Sequence, residues 1–289
     1  VATADKPEGP FVDHGMMFRS NEIGVQNSID PFYIEDGGRK YMFWGSFRGI
    51  YGIELTADGL KVKSGADKKQ IAGTAYEGTY IHKKNGYYYL FASKSGGYWR
   101  SEDLADWEYI PCTTIPTLED YAPTILPVGD TLYFTASSGK TQIFKNAHPE
   151  KDAWEPVDTK LTYRLHDPAF YRDDDGKVYM YWGCSDKDPI MGVEVDPKDG
   201  FRAIGEARAL IEHHGDKYGW EVPGKNNEEP RQGWNEGPCM LKYEGRYYLQ
   251  YAAPGTQYRI YGDGIYVGDN PLGPFEYMED NPFSFKPGG

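Results

Sequence analysis

The chain has 289 residues, enough for one large core or two small ones. It carries 25 Tyr, 35 Gly and 20 Pro, and aromatics make up 16% of it, a composition that suits half-buried strands joined by turns and argues against a helical protein. A formal net charge of -13 excludes the basic stripe that nucleic acid demands and disfavours an anionic membrane surface, and no apolar run is long enough to span a bilayer.

Taken in chain order, VATADKPEGPF (1–11) reads as a strand end, a turn and a further strand, so residues 1–20 are expected as an extra outer-strand segment. DPFYIEDGGRKYMFWG (30–45) follows, then GIYGIEL (49–55). EGTYIHKKNGYYYLFAS begins at Glu77, and YAPTILPVGDTLYFTAS occupies 121–137. HDPAFYRDDDGKVYMYWG (166–183) nearly repeats the first Asp-Pro unit and continues into PIMGVEV (189–195). EGPCMLKYEGRYYLQYA, from Glu236, nearly repeats the Glu-Gly unit. The turn D-x-P-x-G-P-F occurs at Asp5–Phe11 and again at Asp269–Phe275.

Five units result, at roughly 28–65, 76–111, 120–160, 165–210 and 234–285, each with three or four short strands. Units of this length and strand content predict an all-β, five-bladed β-propeller, a single domain over 1–289. In a propeller the innermost strands all start at one rim. Asp30, Glu77, Asp167 and Glu236 each head the first strand of a unit, so four carboxylates are expected around one channel mouth. Acids so crowded repel one another, which raises some pKa values and marks a functional site.

Other candidates compete with plainer readings. Asp173-Asp174-Asp175-Gly176 superficially suggests a calcium loop, but Cys184 stands where an EF-hand needs Glu, so a hairpin turn is expected. Cys112, Cys184 and Cys239 have neither zinc nor disulfide spacing, and the latter two read as small buried apolar residues. His213 and His214 read as solvated loop residues. His166, beside Asp167 at the rim, is a candidate substrate contact. Trp220 and Trp234 flank a polar loop, GWEVPGKNNEEPRQGWN (219–235), and either anchor it or stack on sugar rings.

These motifs, over nearly the whole chain, resemble glycoside hydrolase family 43, the five-bladed propellers that include arabinanases, arabinofuranosidases and β-xylosidases. The resemblance implies an inverting hydrolase of arabinose- or xylose-containing plant polysaccharides or oligosaccharides. In that family an Asp of the third blade, in the D-P context of Asp30 and Asp167, tunes the pKa of the acid. A Glu of the fourth blade, in the E-G context of Glu77 and Glu236, is the general acid. A member of the family has one of each motif, whereas this chain has two. The part up to about Tyr98 resembles one branch and the part from about Trp99 another, so a recombined propeller is expected. In the first frame Asp167 is the base, Asp30 the modulator and Glu77 the acid. In the second Glu77 is the base, Asp167 the modulator and Glu236 the acid. Glu77 serves in both frames and is expected to be the more damaging acid to lose.

The resemblance also implies a first-blade Asp as general base and a Gly-His-Gly motif whose His often supports a channel-bound cation, and neither has an ordinary counterpart here. No cofactor or metal is expected; a channel-bound cation stays open but unsupported without that His. The alternative to a hydrolase is a non-catalytic carbohydrate-binding or scaffold propeller. A carbohydrate substrate, no nucleic-acid or membrane partner, and a monomer are expected. The chain shows no signal peptide and opens and closes in mid-pattern, as expected of trimmed pieces of secreted or periplasmic parents.

Overall fold

The structure, a computed structural model, describes every residue except 27, 74–76, 93–95, 115–121, 138, 140 and 286–289. The expected starts of the second and third units (76 and 120), Tyr121 and the last four residues lie outside the described set. The fold is a five-bladed β-propeller built from antiparallel sheets. The first blade comprises Phe32–Asp36, Arg39–Trp44, Ile50–Glu54 and Lys69–Ala72. The second comprises Tyr80–Lys84, Tyr87–Phe91, Gly97–Ser101 and Glu108–Pro111. The third comprises Thr124–Val128, Thr131–Thr135, Phe144–Asn146 and Glu155–Pro156. The fourth comprises Ala169–Arg172, Val178–Trp182, Ile190–Asp196 and Arg202–Ile211. The fifth comprises Asn235–Tyr243, Arg246–Ala253, Gly262–Gly268 and Phe275–Tyr277, with Ser284–Phe285 added beside Gly262–Gly268.

The chain groups into two compact units. The first, Val1–Thr3, Phe11–Ser138 and Gln142–Val157, holds blades one to three. The second, Ala4–Pro10, Gly139–Thr141 and Asp158–Gly289, holds blades four and five.

Within each unit, aromatic side chains fill the space between neighbouring blades. Tyr41, Phe43, Ile81, Leu90 and Trp99 form one buried cluster of the first unit; Tyr89, Phe91, Tyr98, Phe134 and Trp154 form another. In the second unit Tyr181, Ile190, Ile211, Leu249 and Tyr251 do the same. This accounts for the Tyr-rich composition, because large flat rings bury much area across a blade interface. The repeat extends to packing: Phe43 pairs with Gly52 and Tyr181 with Gly192 across the strands, and a Cβ on either glycine would meet the facing ring at 3.0 Å or less.

Two expectations are corrected. The first blade runs on to Ala72, beyond residue 65, because the fourth strand follows the turn at 64–65. Among the described residues, 1–20 add no outer strand to a blade: Ala2–Thr3 pairs with Val12–Asp13 in a two-stranded sheet. Pro7 and Pro10 remove ladder donors from the intervening segment, which limits each arm to two residues. The second D-x-P-x-G-P-F turn instead leads into the outer strand Phe275–Tyr277.

Candidate active site

The head of the innermost strand has the same backbone turn in all five blades. A left-handed residue occurs at Asp30 (φ 52°), Gly78 (69°), Ala122 (52°), Asp167 (47°) and Gly237 (63°). Asp30, Ala122 and Asp167 each precede a proline, which disfavours helical-type conformations at the residue before it. Such a conformation costs about 1–3 kcal/mol and persists only where the surroundings enforce it. Part of the enforcement is a closing hydrogen bond: the amide of Gly45 donates to the Ile29 carbonyl (2.8 Å), and that of Gly183 to the His166 carbonyl (2.9 Å). Asp-Pro therefore heads a strand because Asp tolerates the left-handed turn and its carboxylate leaves from that turn. The third blade keeps the turn with Ala122 and has no acid there.

In the Glu-Gly blades the acid precedes the left-handed residue. In the fifth blade the strand register shifts between Glu236 and Cys239, a bulge built on Gly237. Bulges of this kind re-aim a side chain at the edge of a sheet. In the second blade Gly78 lies against Pro123, whose Cδ stands 2.9 Å from where a Cβ would be.

In the second unit Asp167, Cys184 and Glu236 come together, each offering a ligand atom within 4.8 Å of the other two. The cause is a strand that changes sheet. After Trp182-Gly183 the chain leaves the fourth blade, and Cys184–Ser185 pairs with the innermost strand of the fifth, placing Cys184 opposite Glu236. The Cys184 thiol donates to Glu236 Oε2 at 3.5 Å. Glu236 is half-buried, and its Oε1 is buried without a hydrogen-bond partner. Burial pushes the Glu236 carboxyl above the usual carboxylate range; the nearby Tyr261 phenol and Cys184 oppose this, and the Asp167 charge adds to it. Tyr261 lies close enough to favour the charged form, yet no bond of ordinary geometry reaches Oε1. The phenol of Tyr261 is itself raised, by burial and then by Glu236.

The first unit repeats the arrangement with one atom changed. Ser46 follows Trp44-Gly45 as Cys184 follows Trp182-Gly183, and its hydroxyl donates to Glu77 Oε1 at 3.1 Å. Asp30 and Glu77 head neighbouring strands, whose Phe32 and Tyr80 rings lie 5.6 Å apart.

The loop carrying Trp220 and Trp234 is tied down from below. The Trp220 indole donates to the Tyr277 hydroxyl (2.9 Å) and packs on Tyr251. Glu221, 2% exposed, accepts from the Tyr251 hydroxyl and from the His214 amide. Burial raises the Glu221 carboxyl despite those bonds. Trp220 is thus a loop anchor. Trp234 is half-buried, its amide donating to the Pro254 carbonyl (2.7 Å), two residues before Glu236. His166 is half-buried beside Asp167.

Three readings are refined. Asp173–Gly176 is a hairpin turn as expected, closed by the Gly176 amide on the Asp173 carbonyl, but the Asp173 carboxylate also reaches the next blade. Cys184 and Cys239 are not buried apolar residues: Cys184 is half-buried between two acids, and Cys239 has a solvent-accessible side chain just past the register shift at Gly237, where the surrounding protein still pushes its thiol pKa up. His213 is not solvated: burial lowers its pKa, and its Nε2 is buried without a partner. Sequence reasoning missed Cys184, Tyr261 and Glu221. For Cys184 the signal was one residue past the repeat, where YWGC matches FWGS.

The family model of glycosyl hydrolases family 43 matches the chain twice, over residues 1–98 and 97–288. The two matches meet at residues 97–98, beside the change of branch expected at Tyr98–Trp99. A probable arabinan endo-1,5-alpha-L-arabinosidase C of Neosartorya fischeri is 38% identical over 105 residues, 34% of this chain and 32% of that protein. A beta-xylosidase of Xylanibacter ruminicola is 29% identical over 135 residues, 39% of each chain. The chain thus spans about a third of the length of the first curated relatives it matches. Among solved structures, a thermostable family-43 glycoside hydrolase superposes with a TM-score of 0.56 at 24% identity, covering 73% of this chain and 74% of that one. An endo-1,4-beta-xylanase of Bacteroides thetaiotaomicron superposes at 0.54 with 23% identity, covering 71% and 72%. At these identities the superpositions show the fold.

Proposed function

The chain belongs to glycosyl hydrolases family 43, and on that premise we propose that it hydrolyses glycosidic bonds of arabinose- or xylose-containing plant oligosaccharides or polysaccharides with inversion. The observation that carries this reading is the placement of Asp167 and Glu236 on adjacent strand heads, with the Glu236 carboxyl pushed above the usual carboxylate range by burial and, further, by the Asp167 charge. A carboxyl whose pKa is raised toward the working pH can give its proton to the leaving oxygen. Glu236 is the general acid in this reading and Asp167 its modulator. The geometry of the second unit moves the weight from Glu77, favoured by counting frames, to Glu236. Inversion requires a second carboxylate about 6.5–9.5 Å from the acid, with room for a water between them. His166 and Trp234, beside the two acids in sequence, are the proposed sugar contacts. The substrate class is supported by the arabinanase and xylosidase relatives.

The test is hydrolysis of p-nitrophenyl arabinofuranoside and xyloside, with the product anomer followed by NMR. Release of the inverted anomer supports the proposal. The retained anomer contradicts the mechanism. Binding of arabinan or xylan oligosaccharides without turnover favours a carbohydrate-binding propeller.

A further inference from the structure

We infer that Asp167, Cys184 and Glu236 form a binding site for a soft divalent cation such as zinc or cadmium. Among the described residues this is the one place where three such ligands converge. Zinc takes thiolate at about 2.3 Å and carboxylate oxygen at about 2.0–2.2 Å in a tetrahedral shell, which sets neighbouring donor atoms roughly 3.5 Å apart. The Cys184 Sγ and Glu236 Oε2 already stand at 3.5 Å, held by the strand pairing that sets the two residues opposite each other. Glu236 Oε1 is buried without a hydrogen-bond partner, so the carboxylate keeps acceptor capacity beyond its contact with Cys184.

The ligand set also argues for selectivity. Carboxylates alone would suit magnesium or calcium, whereas one thiolate among oxygens shifts preference to zinc and cadmium. The first unit supplies the comparison: Ser46 occupies the position of Cys184 and donates to Glu77, so that place has the acid without the sulfur. Cys112 is turned to Asp152 (2.9 Å), and Cys239 is exposed outside the cluster.

On binding, a metal–sulfur bond replaces the S–H bond of Cys184. That proton, and any carried by Glu236, leave to solvent, so affinity falls at lower pH. A cation on Glu236 occupies the oxygen from which a proton would be donated. Where the hydrolase reading holds, and this consequence rests on it, zinc inhibits turnover and a chelator restores it.

The experiment titrates cadmium alone into the whole chain and follows the ultraviolet thiolate-to-cadmium charge-transfer band, with zinc as competitor. The band should saturate at one equivalent. Cys184→Ser, which installs the hydroxyl found in the first unit, should abolish it. Glu236→Gln should weaken cadmium by about tenfold or more, since even second-layer partners of a metal cost about 10–100-fold when removed. Cys239→Ser should leave the band intact. A band unchanged in Cys184→Ser, or lost in Cys239→Ser, overturns the site, as does native cadmium affinity in Glu236→Gln. The readout is independent of turnover. Binding without hydrolysis keeps the metal site and removes the hydrolase reading; zinc-insensitive hydrolysis with no band does the reverse.

Discussion

Asp173 accepts a hydrogen bond from Lys242 Nζ at 2.7 Å, and Asp36 accepts one from Lys83 Nζ at 2.6 Å. Both pairs join the first hairpin of an Asp-Pro blade to the Glu-Gly blade that follows. Tyr247 and Tyr88, cross-strand partners of the two lysines, donate to the same carboxylates. Each lysine also lies over its tyrosine ring, at 5.0 and 4.9 Å. The repeated motif is thus a blade-to-blade clamp as well as a strand head.

The two clamps differ in exposure, which decides their worth. The Asp173 side chain is 6% exposed and that of Asp36 is 37% exposed. Solvent screens the outer pair. Asp173→Asn should destabilise the protein by about 1–3 kcal/mol, because a bonded buried carboxylate is lost and its partners are left short of an acceptor. Asp36→Asn should cost clearly less. Urea unfolding midpoints of the two variants check the order.

The same clamp gives a pH dependence. Burial pulls the Asp173 carboxyl upward, but bonds from Lys242, Tyr247 and the Asp174 amide outweigh it and leave the pKa at about 2. A depressed folded pKa stabilises the native state above the unfolded value of 3.8. That stability drains away as pH falls from there toward about 2. In Asp173→Asn this part of the acid loss should vanish. Melting temperatures across the acid range measure it.

The blades were legible in the sequence because strand patterning and Gly/Asp turns are local, and both repeats are written in residues near in sequence. The strand-head places of Asp167 and Glu236 were legible for the same reason. Cys184 was not, because what makes it matter is a strand that leaves one sheet to pair with the next. Glu221 was hidden likewise: its acceptor role depends on Tyr251, thirty residues away. Trp220 and Trp234 look alike in the sequence, and only the Tyr277 and Tyr251 contacts identify Trp220 as an anchor.

That distinction is measurable. Trp220→Phe should lower stability by about 1 kcal/mol through its lost hydrogen bond, with little change in KM. Trp234→Ala should raise KM with a smaller effect on stability. Equal KM changes in both would contradict the assignment.

Cys184→Ser should also move the kinetic acid. A hydroxyl donates to a carboxylate more strongly than a thiol, so it favours ionised Glu236 and lowers its pKa. Activity should then be lost at lower pH on the basic side than in the native chain. A pH–rate profile of kcat/KM reads the shift.

The most direct test of the central claim is Glu236→Gln assayed on two leaving groups. A general acid matters most where the leaving oxygen needs its proton. On an unactivated pentose oligosaccharide the variant should lose about 10²–10⁴-fold in kcat/KM, and on a nitrophenyl glycoside far less. The basic limb of its pH profile should disappear as well. An equal loss on both substrates, or native activity in Glu236→Gln with activity abolished in Glu77→Gln, would contradict the account.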